Sequence, residues 1–375
     1  MYSIIGGGIG GLTTALAFEK LGIAYQLFEK SEVLVPIGSG ILLPPNALQV
    51  YEWLGLLDDL MAKGNAMKRI TLTKPDMSPL FDYVQDDVKE KYGYYALSIH
   101  RWELQNCLLQ RIPAHKIHLG KSFKHFEHRN HKVQVSFEDG TSIETNFLIG
   151  ADGIHSKIRK QLFPKSKIRY SGQSCWRGIC TSKALHEAYQ HRGIEMWGQQ
   201  LRFGITKIEA HKFYWFAVQL SPPGLKDTPG KLQEKLAAYF ADFHPMVNEL
   251  IYGSLEENII RSDLYDVKPL KEWYRGSVCL IGDAAHATTP NMGQGGAQAI
   301  EDAYYLANAI VNAPNNAFKN FQAQRKQKVD QIVKQSRMMG KMGHWKYGVW
   351  PRNYILKNTP RSIFKRNWSA IYQLK

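Results

Sequence analysis

The chain has 375 residues, 44% of them hydrophobic, which suffices for two domains with a sizeable core. No apolar run is long enough to cross a bilayer, and no secretory h-region opens the chain. Cys107, Cys175, Cys180 and Cys279 show no CxxC or metal-like spacing and are too few to staple so long a chain. No metal site is expected, and buried thiols fit a reducing cytoplasm.

Ser3-Ile4-Ile5 reads as a buried strand that starts too early to leave room for a targeting segment. Gly6-Gly7-Gly8-Ile9-Gly10-Gly11 follows and satisfies G-x-G-x-x-G. Leu12 to Leu21 has helical spacing, with Gly22 as a stop, and a second strand over Ala24–Phe28 leads into Glu29 and Lys30. Glu29 stands about 18 residues after Gly11, close to the roughly 20 expected of a ribose-binding acid. Gly6 permits the tight turn, Gly8 lets the backbone approach a pyrophosphate, and Gly11 lets helix and strand pack closely. The helix start offers free N–H groups to an anion. Dinucleotide binding is therefore expected; a glycine-rich turn in an ordinary α/β domain is the plain alternative.

Residues 115–148 hold short strand-like runs around a turn at Glu138-Asp139-Gly140. Strands are again expected over Tyr170–Thr181, Gly193–Trp197, Leu201–Thr206 and Lys212–Gln219, followed by a helix over Lys231–Phe240. This aromatic-rich stretch reads as a separate β-sheet domain. Ser277–Ile281 returns to a buried strand, and Gly282-Asp283 follows it. From there the chain supplies an acid, a proline turn at Pro290 and the glycine-rich helix start Gly293-Gln294-Gly295-Gly296, a set that suits a flavin. Asp283 is the acid of that set, or else the cap of a helix.

The formal net charge is +15, and ten Lys or Arg residues with no acid lie between Gln331 and Lys375. A solvated basic face is one reading of this tail. Weak contact with an anionic membrane surface is the other, because Trp345, Tyr347, Trp350, Phe364 and Trp368 interleave with the charges. No nucleic-acid reading motif is present, so no nucleic-acid partner is expected.

Together these stretches resemble the group A FAD-dependent monooxygenases, the para-hydroxybenzoate hydroxylase-like family that includes salicylate, urate and tetracycline monooxygenases. The resemblance rests on the opening glycine motif with Glu29, on His100-Arg101 opening a helix, on Gly150-Ala151-Asp152-Gly153 through Arg159, and on Gly282-Asp283 through Asp302. Gly38-Ser39-Gly40-Ile41 through Pro45-Asn46-Ala47 is similar to the family's flavin-contacting loop. The implied fold is α/β: a Rossmann-like FAD-binding domain (1–72, 95–165 and 270–312) with an inserted β-sheet substrate domain (73–94 and 166–269) and C-terminal helices (313–375). The absence of a second G-x-G-x-x-G fits a family with no separate nicotinamide domain.

The resemblance implies FAD, NADH or NADPH as co-substrate, and dioxygen. It implies hydroxylation of a small aromatic or polycyclic substrate through a flavin C4a-hydroperoxide, in a closed apolar pocket of a cytoplasmic monomer. Cofactor contacts fall on Gly6, Gly8, Gly10, Gly11, Glu29, Lys30, Asn46 and Arg101. They continue through Asp152, Gly282, Asp283, Pro290, Gly293, Gly295 and Gly296. Pro290 also forms part of the wall beside the reacting ring, and His286 supports the fold or flavin.

The substrate side is thinner. Period-two alternation puts Tyr214 and Phe216 on one face, and Arg202 and Gly204 on one face of the preceding strand. An Arg202–Tyr214 pair resembles the pocket of FAD-dependent urate hydroxylases; a core tyrosine and a surface arginine are the alternative. Trp176-Arg177-Gly178 is a further family-like run. A phenol, a purine, a polycyclic antibiotic and an isoprenoid double bond all remain open as substrates. An epoxidase of such a double bond, or a reductase or flavoprotein scaffold without oxygen insertion, is the rival reading. A flavin halogenase should show Trp-x-Trp-x-Ile-Pro, which this chain lacks.

Overall fold

The computed structural model describes residues 1–34 and 39–374. Gly38, the first residue of the expected flavin loop, and Lys375, the last cation of the tail, lie outside the described residues. The fold is α/β. A six-stranded sheet runs in the order Tyr274–Arg275, Val278–Leu280, Phe147–Gly150, Tyr2–Ile5, Tyr25–Phe28, Ile117–His118. All pairs are parallel except the edge pair Tyr274–Arg275 with Val278–Leu280. Tyr2–Ile5 is buried at every position, as a central parallel strand covered on both faces must be. Helix Ile9–Lys20 begins on the glycine motif and packs against helix Gly295–Asn312. Gly22 ends the first helix with φ of 67°. The 115–148 stretch contains the antiparallel strands Phe123–Arg129, Lys132–Phe137 and Ser142–Thr145, the last two joined through Gly140 at φ 85°.

The second unit is a seven-stranded sheet in the order Ile260–Val267, Ile168–Thr181, Lys212–Leu220, Leu201–Glu209, Arg192–Trp197, Arg69–Thr73, Pro79–Val84. Its first four pairings are antiparallel, and Arg192–Trp197 runs parallel to Arg69–Thr73. Strand Arg69–Thr73 crosses the expected boundary at residue 72, because the long-range pairing draws the segment into this sheet. Phe203, Ile205, Phe213 and Trp215 bury one face against helices Leu232–Tyr239 and Met246–Tyr252. Trp215 satisfies its indole N–H on Ser254 Oγ at 2.8 Å.

Strands Gly40–Leu43, Ala96–His100 and Asn65–Met67 form a small sheet between the two units. The chain ends in helices Ala317–Gly343, Val349–Asn358 and Arg361–Tyr372. Not all tail aromatics face outward: Phe364 and Trp368 pack on Phe81, and Trp368 also on Tyr83. These two therefore cannot belong to an exposed aromatic-basic surface. No helix among the described residues is long and apolar enough to cross a membrane.

Candidate active site

Two glycine-rich stretches from opposite ends of the chain meet at one alanine. A Cβ on Gly10 would lie 3.2 Å from the Ala299 methyl, and one on Gly282 would lie 2.9 Å from it. The turn before them is as tight. Gly6 has φ of 115°, and a Cβ there would meet the Ala151 carbonyl at 2.3 Å. A Cβ on Gly11 would strike the Gly6 carbonyl at 1.9 Å. Gly8 differs: nothing lies within 4 Å of its Cβ position, and it caps a helix with no side-chain cap. That open space over free N–H groups suits a pyrophosphate. Glu29 is held beside it, accepting from Gly7 N at 2.5 Å and Ser31 N at 2.9 Å. Each carboxylate oxygen keeps a second lone pair for a ribose diol. Lys30 is exposed next to it.

The other half of the groove gathers polar groups that the protein satisfies only in part. Asp283 opens to the groove at the start of a short helix. Protein crowds the rest of it, and this burial pushes its carboxyl above the usual range against the pull of His286, Arg101 and Arg159. Asp152 accepts weakly from Ile158 N at 3.3 Å, while its Oδ1 is buried without a partner. Burial likewise raises its pKa, against Ser156 and nearby amides. Arg159 donates to the Ala284 carbonyl at 3.0 Å and so ties the Asp152 turn to the Asp283 segment. Arg101 opens helix Arg101–Leu109, whose cap is His100 Nδ1 accepting from Trp102 N at 3.2 Å. Gly293, at φ 63°, turns the chain after Pro290 into the helix start. Gly293 and Gly296 lie close against Leu42 and Ile41 of strand Gly40–Leu43, and Gly295 packs near the Thr288 methyl. This set fits a dinucleotide along the glycine turn and a polyol chain at Asp283, the chemistry of FAD.

Below the groove lies a buried ion network that the sequence did not reveal. Asp302 accepts from Gly282 N at 2.9 Å, His286 Nε2 at 2.6 Å and Arg325 Nε at 2.9 Å. Burial alone would raise its pKa; His286, Arg325 and the Gly282 amide outweigh it and hold the carboxyl at about 2. Arg325 also bonds Glu301, which in turn receives Lys328 and Asn46 Nδ2, the latter at 2.6 Å. Asn46 thus points into the protein, bonding Gln294 Oε1 at 3.1 Å as well, with only its Oδ1 lacking a partner. His286 supports the strand end that carries Gly282 and Asp283. Adjacent acids inside an otherwise small and apolar helix were the one available signal.

The seven-stranded sheet covers the groove. Arg202 pairs with Val218, Gly204 with Phe216 and Thr206 with Tyr214, so these side chains share one face, with Phe216 lying over Gly204. Tyr214 reaches strand Gly40–Leu43: a Cβ on Gly40 would meet its ring at 2.5 Å. Burial pushes the Tyr214 hydroxyl well above its usual range, with Arg177 opposing. Arg177 donates to Ser262 Oγ at 2.5 Å. Arg202 is only 2% exposed. Its guanidinium donates to Glu195 at 2.6 Å and to Asn291 Oδ1 at 2.5 Å, and it lies 5.4 Å from the Trp197 ring centre. Arg202 is therefore tied to the residue after Pro290, and Tyr214 to the loop opposite. A second, open cleft of about 870 Å³, lined by Lys226, Asp227, Glu256 and Arg261, also reaches Ser262.

Comparison with known proteins agrees with this geometry. A family described as an FAD binding domain matches residues 2–336. The chain is 33% identical over 360 residues to the aurachin C monooxygenase/isomerase of Stigmatella aurantiaca, covering 94% of this chain and 93% of that protein. It is 34% identical over 380 residues to the 2-heptyl-3-hydroxy-4(1H)-quinolone synthase of Pseudomonas aeruginosa, covering 97% and 95%. The solved structure of Klebsiella pneumoniae HpxO with FAD and uric acid superposes with a TM-score of 0.91 at 27% identity, covering 99% of this chain and 96% of that one. Hydroxylation is favoured over the epoxidase and scaffold alternatives. The chain belongs to the group A FAD-dependent aromatic monooxygenases.

Proposed function

We propose that this monooxygenase hydroxylates a neutral, flat N-heteroaromatic of the 4-quinolone type carrying an apolar side chain. The observation that carries this reading is the state of Arg202: with Glu195 and Asn291 as partners, its charge is already answered inside the protein. The face presented to the groove is otherwise Tyr214, Phe216 and Val218, with Arg177 and Ser262 as the polar edge. Such a largely apolar face suits a flat ring with an apolar chain, and Arg177 is left to meet the ring's carbonyl oxygen. The names of the quinolone and aurachin relatives support the same class.

FAD, when bound, takes hydride from NAD(P)H and activates dioxygen. The chain's own residues bind and orient. Gly8 and Glu29 are proposed to hold the adenosine diphosphate half, and Asp283 the polyol chain. The N-terminus of helix Gly295–Asn312 offers positive potential at the isoalloxazine edge. Pro290 walls the ring, and Arg202 fixes that wall through Asn291. C3 of a 4-quinolone is an electron-rich enamine-like carbon, so the protein's task is to aim it. Tyr214, whose hydroxyl burial keeps protonated, donates a hydrogen bond to the ring's oxygen and takes no proton from it. A cytoplasmic setting is proposed from the four unpaired buried cysteines.

The test is to add 2-heptyl-4-quinolone, urate and salicylate separately to the FAD-loaded protein and follow NAD(P)H oxidation. The quinolone should accelerate it and yield the 3-hydroxy product. Acceleration and hydroxylation with urate or salicylate, and none with the quinolone, would overturn this substrate class.

A further inference from the structure

The end of the long helix and the helix after it carry a surface that neither FAD nor substrate binding uses. Met338, Trp345, Tyr347, Trp350, Tyr354 and Ile355 are exposed, Tyr347 at 80% and Trp350 at 76%. Trp350 and Tyr354 stack with ring centres 5.6 Å apart. Lys334, Met338 and Lys341 follow one face of the long helix, Trp345 and Tyr347 lie in the link after it, and Trp350, Tyr354 and Lys357 follow one face of the next helix. The opposite side of Val349–Asn358 is anchored, with Leu356 buried beside Trp197 and Arg352 bonded to the Gly343 carbonyl at 3.3 Å. The outward face is thus held rigidly. Lys334, Lys341, Lys346 and Lys357 are exposed among these aromatics, and none has a carboxylate partner among the described residues. No acid occurs anywhere from Gln331 onward.

We infer that this surface docks the enzyme on an anionic lipid bilayer. Charge decides between occupants. A second copy of this chain would bring the same unneutralised cations against themselves, whereas acidic headgroups complement them. Trp and Tyr among lysines match the interfacial zone, where aromatic bodies enter the headgroup layer and ammonium groups remain at its surface. The patch also adjoins the groove's cover. His344, one residue before Trp345, is buried beside Gly343, and a Cβ on Gly343 would lie 2.7 Å from Arg202 Cδ. Docking would bring this end of the pocket-covering sheet to the membrane. Delivery of an alkyl-chain substrate from the bilayer is a consequence that rests on the proposed quinolone class; docking itself does not.

Flotation of the full FAD-loaded chain with phosphatidylcholine vesicles, with and without phosphatidylglycerol, tests this in the absence of substrate. Its failure is therefore separate from failure of the substrate assignment. Binding is expected only to phosphatidylglycerol vesicles at low salt, and should fall about fivefold per lysine neutralised among Lys341, Lys346 and Lys357. Tyr347→Ala with Trp350→Ala should weaken it further, with flavin content and activity on dissolved substrate unchanged. Brominated lipid should quench wild-type tryptophan fluorescence, a readout that needs no variant. Equal binding to neutral and anionic vesicles, no binding at low salt, or binding indifferent to both sets of substitutions would overturn the inference.

Discussion

In the groove, Asp283 opens outward and Asp152 Oδ1 has no protein partner, whereas on the sheet above them Arg202 is bonded to Glu195 and Asn291. The Arg202 side chain is almost fully buried; Gly8 has nothing within 4 Å of its Cβ position. The two regions answer their polar groups differently. The groups proposed to meet the cofactor carry unused hydrogen-bonding capacity and raised carboxyl pKa values. Groups that fix the architecture satisfy one another. The comparison assigns roles that residue type alone leaves open: an arginine and an aspartate both suit a binding site, and only their partners separate them.

The architectural side should break hardest. Arg325→Met removes the cation shared by Glu301 and Asp302, leaving Lys328 and His286 to answer two buried carboxylates, so a loss of about 3 kcal/mol is expected in denaturant unfolding. An unchanged midpoint would remove the network from the account. Arg202→Ala should cost about 3 kcal/mol for the same reason, with a lowered melting temperature and a modest change in substrate KM. A large rise in KM at unchanged melting temperature would return Arg202 to substrate binding.

His344 supplies a pH test of the same covering layer. It is 3% exposed, and burial, aided by the Arg202 charge, pushes its pKa down to about 4. Above about pH 6.5 the ring is neutral whether the chain is folded or unfolded and contributes no slope. Between about 6.5 and 4 the unfolded chain takes up the proton and the native state does not. Stability should therefore fall by up to about 3 kcal/mol across that window. His344→Gln should flatten this part of the profile; an identical slope in the variant would show that other groups produce it.

The ligand side should respond in binding and not in folding. Asp283→Ala removes a carboxylate that the protein itself disfavours, so the flavin-free protein should melt no lower than wild type. FAD affinity should drop by about 1.5–3 kcal/mol, read by titration of flavin fluorescence. Full flavin retention at stoichiometric FAD would contradict the assignment. The smallest effect is expected at Tyr214→Phe: normal flavin reduction, with part of the NAD(P)H diverted from hydroxylated product to peroxide. Unchanged coupling would make Tyr214 a packing residue against Gly40.

The groove was legible in the sequence because backbone geometry demanded particular residues there. Gly6 at φ 115° and Gly11 against the Gly6 carbonyl admit no side chain, so the motif survives as text. The covering face was half legible. Alternation placed Tyr214 with Phe216 and Arg202 with Gly204, but only the register showed that both pairs share one face. The Arg202–Glu195 bond depends on that register too, and Asn291 comes from a distant loop, so neither partner could be named beforehand. The expected boundary at residue 72 falls inside the strand at 69–73 for a similar reason, since its parallel neighbour lies more than a hundred residues away. Phe364 and Trp368 were a different matter. Their i, i+4 spacing with Tyr372 marked a buried helical face that counting charges concealed.

The most direct measurement is turnover of the FAD-loaded enzyme with NAD(P)H and 2-heptyl-4-quinolone under ¹⁸O-labelled dioxygen, followed by mass spectrometry of the product. A groove that holds FAD beneath an aromatic sheet predicts one labelled oxygen on the ring, one NAD(P)H consumed per product, and little peroxide. NAD(P)H consumption that yields only peroxide, or a product oxygen drawn from water, would contradict it.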